Sequence, residues 1–368
     1  MNLKFNFLMM FALASVLLFS ACEKESTKED DKKPPVEEDK GYSEGVLIAN
    51  EGSFGAGNGS ISYFDNDKKD VTNKLFNTVN NLPLGDVVQS VYRGETNTYI
   101  CVNASNKVEV VNSKTFETIA TISDLPLPRY AVEKDGKLYV SCWGNGGQVK
   151  IIDVASNSVT DSIMVGTGPE AVVIIENNLY VANSGGFALD STISIVDLSN
   201  NNVSTVDLGA YNPSSMTINA DNNLCILAKG SVIYDASWNI IGHNPSKLIT
   251  FSTTIGSTST TVELFSDKHP AHLAISNNKE SIYYGGGYGF DGIFKIDYNA
   301  TTAPSSALIS GMFYGFLVNN TSDNIFALEA ASGSNGKLIR YSNDGTKIDE
   351  LEVGIFPNGG TSKRIGRN

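Results

Sequence analysis

The chain lacks the excess of cationic side chains that nucleic-acid binding needs. Its 27 Lys and Arg residues are outnumbered by 40 Asp and Glu residues, which gives a formal net charge of -13 at pH 7. Proteins that bind phosphate backbones carry Lys and Arg clustered in a patch or stripe, and this sequence has no such stripe. The composition therefore argues against nucleic acid as a partner.

Histidine is scarce, so the chain offers few imidazole ligands for a metal site. The three histidines are His243, His269 and His272, and the last two flank Pro270 in one loop. Metal sites in proteins usually need three or four ligands with carboxylates nearby. We therefore expect no metal site and no required cofactor.

Cysteine is equally rare. Cys101, Cys142 and Cys225 follow Cys22, and each lies inside a predicted strand. Three thiols cannot all pair with one another, and cysteine buries readily as a small hydrophobic residue. We expect buried free thiols, with a disulfide between two of them as the alternative.

Catalytic signatures are missing as well. No Gly-x-Ser-x-Gly nucleophile elbow stands between a strand and a helix. Carboxylates are available for acid and base roles, but nothing in their spacing selects a pair; they are Glu51, Asp86, Glu170, Asp190 and Asp291. We predict that the protein is not an enzyme, and a polysaccharide lyase or hydrolase is the least favoured alternative.

Helical periodicity is nearly absent beyond residue 45. In its place, one pattern of two consecutive predicted strands repeats seven times. Its clearest copy is the apolar run Leu179–Asn183 followed by the alternating run Ile193–Asp197. Most anchors of successive copies lie about 40–50 residues apart, a period typical of propeller blades; the anchors are Leu47, Tyr99, Tyr139, Tyr180, Cys225, Tyr283 and Phe326.

A full copy contains two further strands. Residues 169–175 precede the two-strand pattern that begins at Leu179, and residues 203–208 follow it. Sequences such as Asp135-Gly136 supply tight turns between strands. The pattern predicts an all-β fold, a seven-bladed β-propeller with four antiparallel strands in each blade.

The strand order also predicts how the ring closes. The chain enters at the second strand of blade one, near Val46, whereas Phe356–Gly360 resembles the start of a first strand. We predict that the N-terminal and C-terminal strands pair in blade one, which would protect two sheet edges from aggregation.

The N-terminus has the pattern of a lipoprotein leader. Lys4 is followed by an apolar run from Phe7 to Phe19 and then by Ser20-Ala21-Cys22. The pattern predicts a signal peptide over residues 1–21 and lipidation of Cys22, and a transmembrane helix is the alternative, for which the run is short. Residues 22–45 are predicted to be an acidic flexible tether, and residues 46–368 the propeller.

The residues after Cys22 point to a location. Glu23-Lys24-Glu25 and Glu29-Asp30-Asp31 resemble the surface-export signal of lipoproteins in bacteria whose outer membranes carry nutrient-capture complexes. We expect a lipid-anchored outer-membrane protein that is exposed at the cell surface.

Ligand-binding residues are expected at one end of the ring. In a four-stranded blade, the loop that enters the innermost strand and the loop between the second and third strands emerge on the same side. Their aromatic, Gly and Asn content suits a broad, neutral, partly apolar ligand, although the same residues could merely plug the central channel. The candidates are Phe54, Arg129, Tyr130, Trp143, Glu170, Phe187, Tyr211, Trp238, His269, Tyr288, Phe290, Phe313 and Tyr314.

Three short motifs resemble a known family. Leu-Tyr-Val-Ala-Asn at 179–183, Ile-Ser-Ile-Val-Asp at 193–197 and Val-Gly-Thr-Gly-Pro at 165–169 are similar to the repeats of YVTN-type, or YncE-like, seven-bladed propellers. Together with the lipoprotein leader, the chain resembles the BtuG-type surface lipoproteins.

The resemblance implies a function. BtuG-type proteins bind cobalamin and pass it to an outer-membrane transporter, so we expect a monomeric propeller that captures cobalamin or another corrinoid. Its expected partner is a transporter of the TonB-dependent type. The alternative is a scaffold at the cell surface that holds another protein or a glycan.

Overall fold

The computed structural model describes residues 41–253 and 259–362. The predicted signal peptide, the predicted lipidation site Cys22 and the predicted tether up to residue 40 lie outside the described residues. All statements below concern the described part of the chain.

The described residues form seven four-stranded antiparallel sheets, and the predicted seven-bladed β-propeller is confirmed. Blade one contains β1 (Val46–Asn50), β2 (Ser60–Phe64), β3 (Val71–Thr72) and β30 (Pro357–Thr361). The short helix α1 (Leu75–Asn80) follows β3. Blade two contains β4 (Val88–Arg93), β5 (Asn97–Val102), β6 (Lys107–Asn112) and β7 (Thr118–Ile122).

Blades three and four follow the same order from the innermost to the outermost strand. Blade three contains β8 (Pro128–Lys134), β9 (Lys137–Cys142), β10 (Gln148–Asp153) and β11 (Ser158–Met164). Blade four contains β12 (Pro169–Ile175), β13 (Asn178–Asn183), β14 (Thr192–Asp197) and β15 (Asn202–Asp207).

Blade five differs from its neighbours by an inserted hairpin. Its sheet contains β16 (Pro213–Ile218), β17 (Leu224–Ala228), β20 (Ser246–Phe251) and β21 (Thr260–Phe265). Between β17 and β20, the strands β18 (Ser231–Tyr234) and β19 (Ile240–Asn244) form a separate two-stranded sheet. The period of the repeat does not predict this hairpin. Asp235 caps the hairpin turn by accepting hydrogen bonds from the backbone N–H groups of Ser237 and Asn239.

Blades six and seven complete the ring. Blade six contains β22 (His272–Ile275), β23 (Ser281–Gly285), β24 (Asp291–Asp297) and β25 (Ile309–Met312). Blade seven contains β26 (Gly315–Val318), β27 (Ile325–Ala331), β28 (Ser334–Tyr341) and β29 (Lys347–Glu352).

The ring closes through the end of the chain, as predicted. β30 is the innermost strand of blade one and pairs antiparallel with β1, so that Leu47 lies opposite Thr361 and Ile48 opposite Gly360. β30 also contacts the innermost strands of both neighbouring blades, β4 and β26. One strand therefore completes its own sheet and the inner wall of the ring.

Apolar side chains fill the space between adjacent blades. At the closure, Val46, Ile48 and Phe64 of blade one are buried in one cluster with Phe326 and other side chains of blade seven. The rings of Phe64 and Phe326 meet edge to face with centroids 5.1 Å apart. Because a single blade cannot bury both of its faces, this packing between blades supplies the hydrophobic core.

The three predicted buried cysteines lie in this core. Cys101, Cys142 and Cys225 are buried free thiols. Burial raises the pKa of the Cys101 thiol to about 12 and that of Cys225 to about 11. Thiols of this kind stay protonated at neutral pH and are poor nucleophiles.

The two ends of the ring differ. At one end, which we call the loop face, the loop into the innermost strand of each blade meets the loop between its second and third strands. In blade three, the N–H of Trp143 in the second of these loops donates to the carbonyl of Leu127 in the first, at 3.1 Å. The turns between the third and fourth strands lie at the other end, the opposite face.

The described chain begins at the opposite face. The N–H of Tyr42 donates to the carbonyl of Lys114, in the turn between β6 and β7, at 2.8 Å. The Tyr42 ring packs edge to face on Tyr63, with centroids 5.1 Å apart, and the Arg93 guanidinium donates to the Tyr42 carbonyl at 2.8 Å. Residues 41–45, which the sequence assigned to the tether, are therefore packed against blades one and two.

We expect the ring to depend on β30. A chain that ends at Asn358 loses most of that strand, including the pairing of Gly360 and Thr361 with β1. The loss of ladder hydrogen bonds and exposure of the inner wall should lower the melting temperature by on the order of 10 °C. A chain that ends at Ser362 keeps β30 and serves as the control. Equal melting temperatures for the two truncated chains, measured by differential scanning calorimetry, would contradict this role.

Candidate functional site

Large aromatic side chains are exposed to solvent on the loop face. Phe54, Phe187, Trp238 and Tyr288 are 86%, 97%, 82% and 98% exposed, and Tyr211 is partly exposed. They come from five different connections, in blades one, four, five and six and in the segment that enters blade five. Exposed aromatic side chains that share one face of a domain make that face the candidate binding surface.

Two of the predicted contact residues do not belong to that surface. Phe290 is buried in the cluster between blades five and six, and Phe313 in the cluster between blades six and seven. Both lie in loops of the loop face, but their side chains point into the core between blades. The sequence pattern predicts the loops that contain these residues correctly, but it does not predict that their side chains are buried.

Trp143 joins the exposed aromatic surface to the axis of the ring. Its ring meets Phe187 edge to face, with centroids 5.3 Å apart. On the axial side, the guanidinium carbon of Arg129 lies 4.1 Å from the Trp143 ring centroid, a cation–π contact. Three predicted residues from blades three and four are thus brought into one stack.

Arg129 is held by a buried ion pair with Glu170. Nε and one terminal nitrogen of Arg129 donate to the two carboxylate oxygens at 3.1 and 2.8 Å. Burial opposes the charged guanidinium, but the charge and hydrogen bonds of Glu170 outweigh it and raise the pKa of Arg129. The pair links the innermost strands of blades three and four at the loop face.

A cavity of about 350 Å³ opens at the axis of the loop face, and all seven blades contribute to its wall. Five of the predicted residues line it, namely Arg129, Tyr130, Glu170, Tyr314 and the exposed Tyr288. We call it the axial cavity. The convergence of seven innermost strands explains why residues so distant in sequence meet here.

Glu51 occupies the blade-one side of the axial cavity. Its carboxylate accepts a hydrogen bond from the Tyr314 hydroxyl at 3.0 Å and another from the side-chain amide of Asn358 at 2.9 Å. Burial raises the pKa of Glu51, while the two hydrogen bonds and the charge of Arg129 act in the other direction. The same amide of Asn358 donates to the backbone carbonyl of Gln89 at 3.0 Å.

His272 lies on the blade-six side of the cavity as a neutral imidazole. Its Nε2 is 3.1 Å from the carbonyl oxygen of Tyr314, which can only accept, so Nε2 carries the proton. Burial lowers the pKa of His272 to about 4. The imidazole is therefore uncharged at neutral pH.

A second cavity, of about 380 Å³, continues along the axis below the first. Four residues line both cavities, namely Gln89, Tyr130, His272 and Asn358. The axial cavity, which lies nearer the aromatic surface, and this second cavity therefore share part of their walls.

His269, predicted to contact a ligand, fastens the blade-five hairpin. Its Nδ1 donates to the carbonyl of Lys229 at 2.8 Å, which leaves Nε2 to accept from Nδ1 of His243 at 3.0 Å. His243 belongs to β19, so the stacked imidazoles tie the hairpin, with Trp238 at its turn, to the loop that enters blade six.

Residues 41–253 and 259–362 contain no cluster of three or more His, Cys, Asp or Glu side chains suited to a metal ion. The same residues contain no helix of the length and apolar character that a membrane crossing needs.

The sequence pointed to only part of the axial cavity. Glu51 is one of the candidate carboxylates and His272 is one of the three histidines, whereas Gln89, Lys229 and Asn358 are not among the residues predicted from the sequence. Asn358 is the second residue of β30 and Gln89 the second residue of β4. Both strands are innermost strands of the ring, so their position in the repeat is the signal that could have identified these two residues. Lys229 precedes the hairpin that the sequence did not resolve.

Comparison with known proteins supports the fold. A family model described as "Domain of unknown function (DUF5074)" matches residues 44–359. A search of curated proteins found no significant relative.

Solved structures of similar shape are propeller-like at low sequence identity. A candidate 6-phosphogluconolactonase from Bacteroides uniformis is 12% identical, with a TM-score of 0.61 over 87% of this chain and 99% of that one. AztD from Citrobacter koseri is also 12% identical, with a TM-score of 0.53 and coverage of 87% and 99%. Hydrazine synthase from Kuenenia stuttgartiensis is 15% identical, with a TM-score of 0.51 and coverage of 68% and 77%. At these identities the similarity establishes the fold alone.

The Arg129–Glu170 pair should contribute strongly to stability. Glu170→Gln keeps the shape of the side chain but leaves a buried guanidinium without its counter-charge, and we expect a loss of about 3 kcal/mol in the free energy of unfolding. Glu350→Gln, at the exposed ion pairs with Lys337 and Lys347, is the matched control and should change the free energy of unfolding much less, because ion pairs at the surface contribute little to stability. Urea unfolding measures both, and equal losses would contradict the assignment.

The pH dependence of stability should carry a contribution from His272. The unfolded imidazole titrates near 6.5, and the folded one near 4, so its stabilising contribution is complete above about pH 6.5 and is lost as the pH falls toward 4. Between about pH 7 and pH 4.5, His272→Gln should lose less free energy of unfolding than the wild type. Parallel losses in urea unfolding would show that His272 titrates normally.

Proposed function

We propose a binding function for this chain, which belongs to the family described as Domain of unknown function (DUF5074). In this proposal, the loop face captures a bulky, neutral, partly apolar ligand. Cobalamin or another corrinoid is the proposed class, and delivery to an outer-membrane transporter is the proposed purpose.

The exposed aromatic side chains of the loop face are the observation that supports the proposal most. Exposure of apolar side chains to water is unfavourable, and the packing of the fold does not require it at these positions. The exposed side chains are Phe54, Phe187, Trp238 and Tyr288. Backbone hydrogen bonds fix their loops; for example, the N–H of Gly185 donates to the carbonyl of Thr167 at 2.9 Å. A fixed aromatic surface binds with little ordering cost.

The dimensions favour a ligand that is broader than the axial cavity. At about 350 Å³, the cavity lies near the lower limit of pockets that enclose a drug-sized molecule. A macrocycle would therefore lie across the mouth, against aromatic side chains from several blades. This arrangement agrees with the resemblance to the BtuG type, whose ligand is a large corrinoid.

The proposed ligand is neutral because the charges in the site compensate one another. Glu170 is paired with Arg129, and the cavity holds one further carboxylate, Glu51, and one further ammonium, Lys229. A site of this kind gives no net attraction to an ion of either sign.

The location is part of the same proposal. A lipid anchor at Cys22, after a signal peptide over residues 1–21, would hold the protein at the outer membrane and the cell surface. The described chain begins at the opposite face, at Gly41. The loop face is then free to meet a ligand and a TonB-dependent-type transporter.

Binding is favoured over catalysis by the state of the carboxylates. Both oxygens of Glu170 accept from Arg129, and Glu51 is held by Tyr314 and Asn358. Neither group is arranged as a general base beside a second acid. We therefore propose no enzymatic activity.

A scaffold that holds a surface protein is the second candidate. It is favoured by the blade-five hairpin, on which Tyr234, Ile240 and Ile241 are exposed beside Trp238. These side chains lie on an inserted element and extend the apolar surface beyond the mouth of the axial cavity.

Isothermal titration with cyanocobalamin tests the leading proposal. We expect wild-type protein to bind, and Phe187→Ala and Tyr288→Ala each to weaken binding by about tenfold, since each removes an exposed aromatic contact. Ile119→Ala changes an exposed apolar residue on the outer strand β7 and should leave affinity unchanged. Absence of heat at micromolar wild-type protein would overturn the corrinoid assignment and favour the scaffold.

A further inference from the structure

Two carboxylates of the loop face accept hydrogen bonds from backbone amides of other loops. Asp86 lies in the segment that enters blade two, and its Oδ2 accepts from the N–H of Gly55 at 2.8 Å. Asp190 lies between β13 and β14, and its Oδ2 accepts from the N–H of Thr167 at 3.1 Å. The partners are 31 and 23 residues apart in sequence, so these contacts join separate segments and are not local turns.

The Asp86 contact holds the tip of the loop that carries Phe54. At the base of this loop, the N–H of Gly59 donates to the carbonyl of Gly85 at 3.0 Å. At the tip, the N–H of Gly55, next to Phe54, donates to Asp86. Since the Phe54 side chain is 86% exposed, packing contributes little to its position, and the position depends on how the backbone of the loop is held.

The Asp190 contact closes the loop that carries Phe187. Both ends of that loop bind Thr167, because the Thr167 carbonyl accepts from the N–H of Gly185 at 2.9 Å and the Thr167 N–H donates to Asp190. The other oxygen of Asp190 accepts from the N–H and the hydroxyl of Thr192 at 2.9 and 2.7 Å. Gly185 and Asp190 thus flank Phe187 and hold the backbone on both sides of it.

We propose that Asp86 and Asp190 are positioning residues, which fix the backbone at Phe54 and Phe187 before a ligand arrives. Hydrogen bonds from N–H groups to an ionised carboxylate are stronger than those to a neutral acceptor, and a surface that is fixed in advance loses less entropy on binding. The inference rests on the proposed function, since it assigns how the aromatic surface reaches its affinity. It also gives a role to two carboxylates that the sequence offered as candidate acids and bases.

Amide exchange tests the positioning without a ligand. In Asp86→Ala, the N–H of Gly55 loses its acceptor, so its exchange with solvent, measured by NMR, should become about tenfold faster. Asp86→Asn keeps an acceptor oxygen and should change the rate by less than about threefold. An unchanged Gly55 rate in Asp86→Ala would overturn the inference.

A carboxylate at the opposite face provides the matched control. Asp153 accepts from the N–H of Ser156 at 2.8 Å in the turn between β10 and β11, and Asp153→Ala should leave the Gly55 rate at its wild-type value. Amides in the central strands of each blade serve as the internal reference, because a global loss of stability accelerates their exchange as well. Acceleration at Gly55 that the strand amides share would count against a positioning role.

A double-mutant cycle with cyanocobalamin tests the effect on binding. Asp86→Ala should weaken binding by about fivefold in the wild-type background and by less than about twofold in Phe54→Ala, because Asp86 acts through Phe54. Asp190→Ala and Phe187→Ala should give the same pattern. Additive losses in either cycle would overturn the role of that aspartate, since a residue that contacts the ligand itself does not depend on the aromatic side chain.

The two tests separate the inference from the proposed function. No heat with cyanocobalamin, together with faster Gly55 exchange in Asp86→Ala, would overturn corrinoid capture and support the positioning role. Binding of cyanocobalamin with an unchanged Gly55 rate in Asp86→Ala would overturn the positioning role and support capture.

Discussion

Closure of the ring is the constraint on which the rest of the molecule depends. Each blade is apolar on both faces, and only its neighbours can cover them, so an open row of blades would leave two large apolar faces in water. The chain solves this by placing its last described strand, β30, inside its first blade. The contact of Phe64 with Phe326 and the pairing of β30 with β1 then complete the core and the inner wall together.

The polar contacts at the loop-face end of the axis follow from the same closure. Seven innermost strands converge there, and the polar side chains that are buried between them must satisfy one another's hydrogen bonds. Arg129 with Glu170, Glu51 with Tyr314, and Asn358 with Gln89 do so across blade boundaries. These contacts hold blades together and at the same time shape the floor of the candidate site, so stability and recognition share the same residues.

The sequence predicted the fold well because propeller repeats are local. Runs such as Leu179–Asn183 and Ile193–Asp197 have the pattern of strands, and in the structure they form β13 and β14, which pair antiparallel. The site was less accessible, because it depends on side-chain direction and on residues from all seven blades. Phe187 and Phe290 occupy similar loops, yet one is fully exposed and the other is core. The hairpin at Ser231–Asn244 was missed because it interrupts the period by which the other strands were found.

The shared wall of the two axial cavities has a consequence for any redesign of the ring. Gln89, Tyr130, His272 and Asn358 line both cavities. A substitution at any of these four positions therefore changes both compartments at once, and the upper cavity cannot be reshaped independently of the lower one.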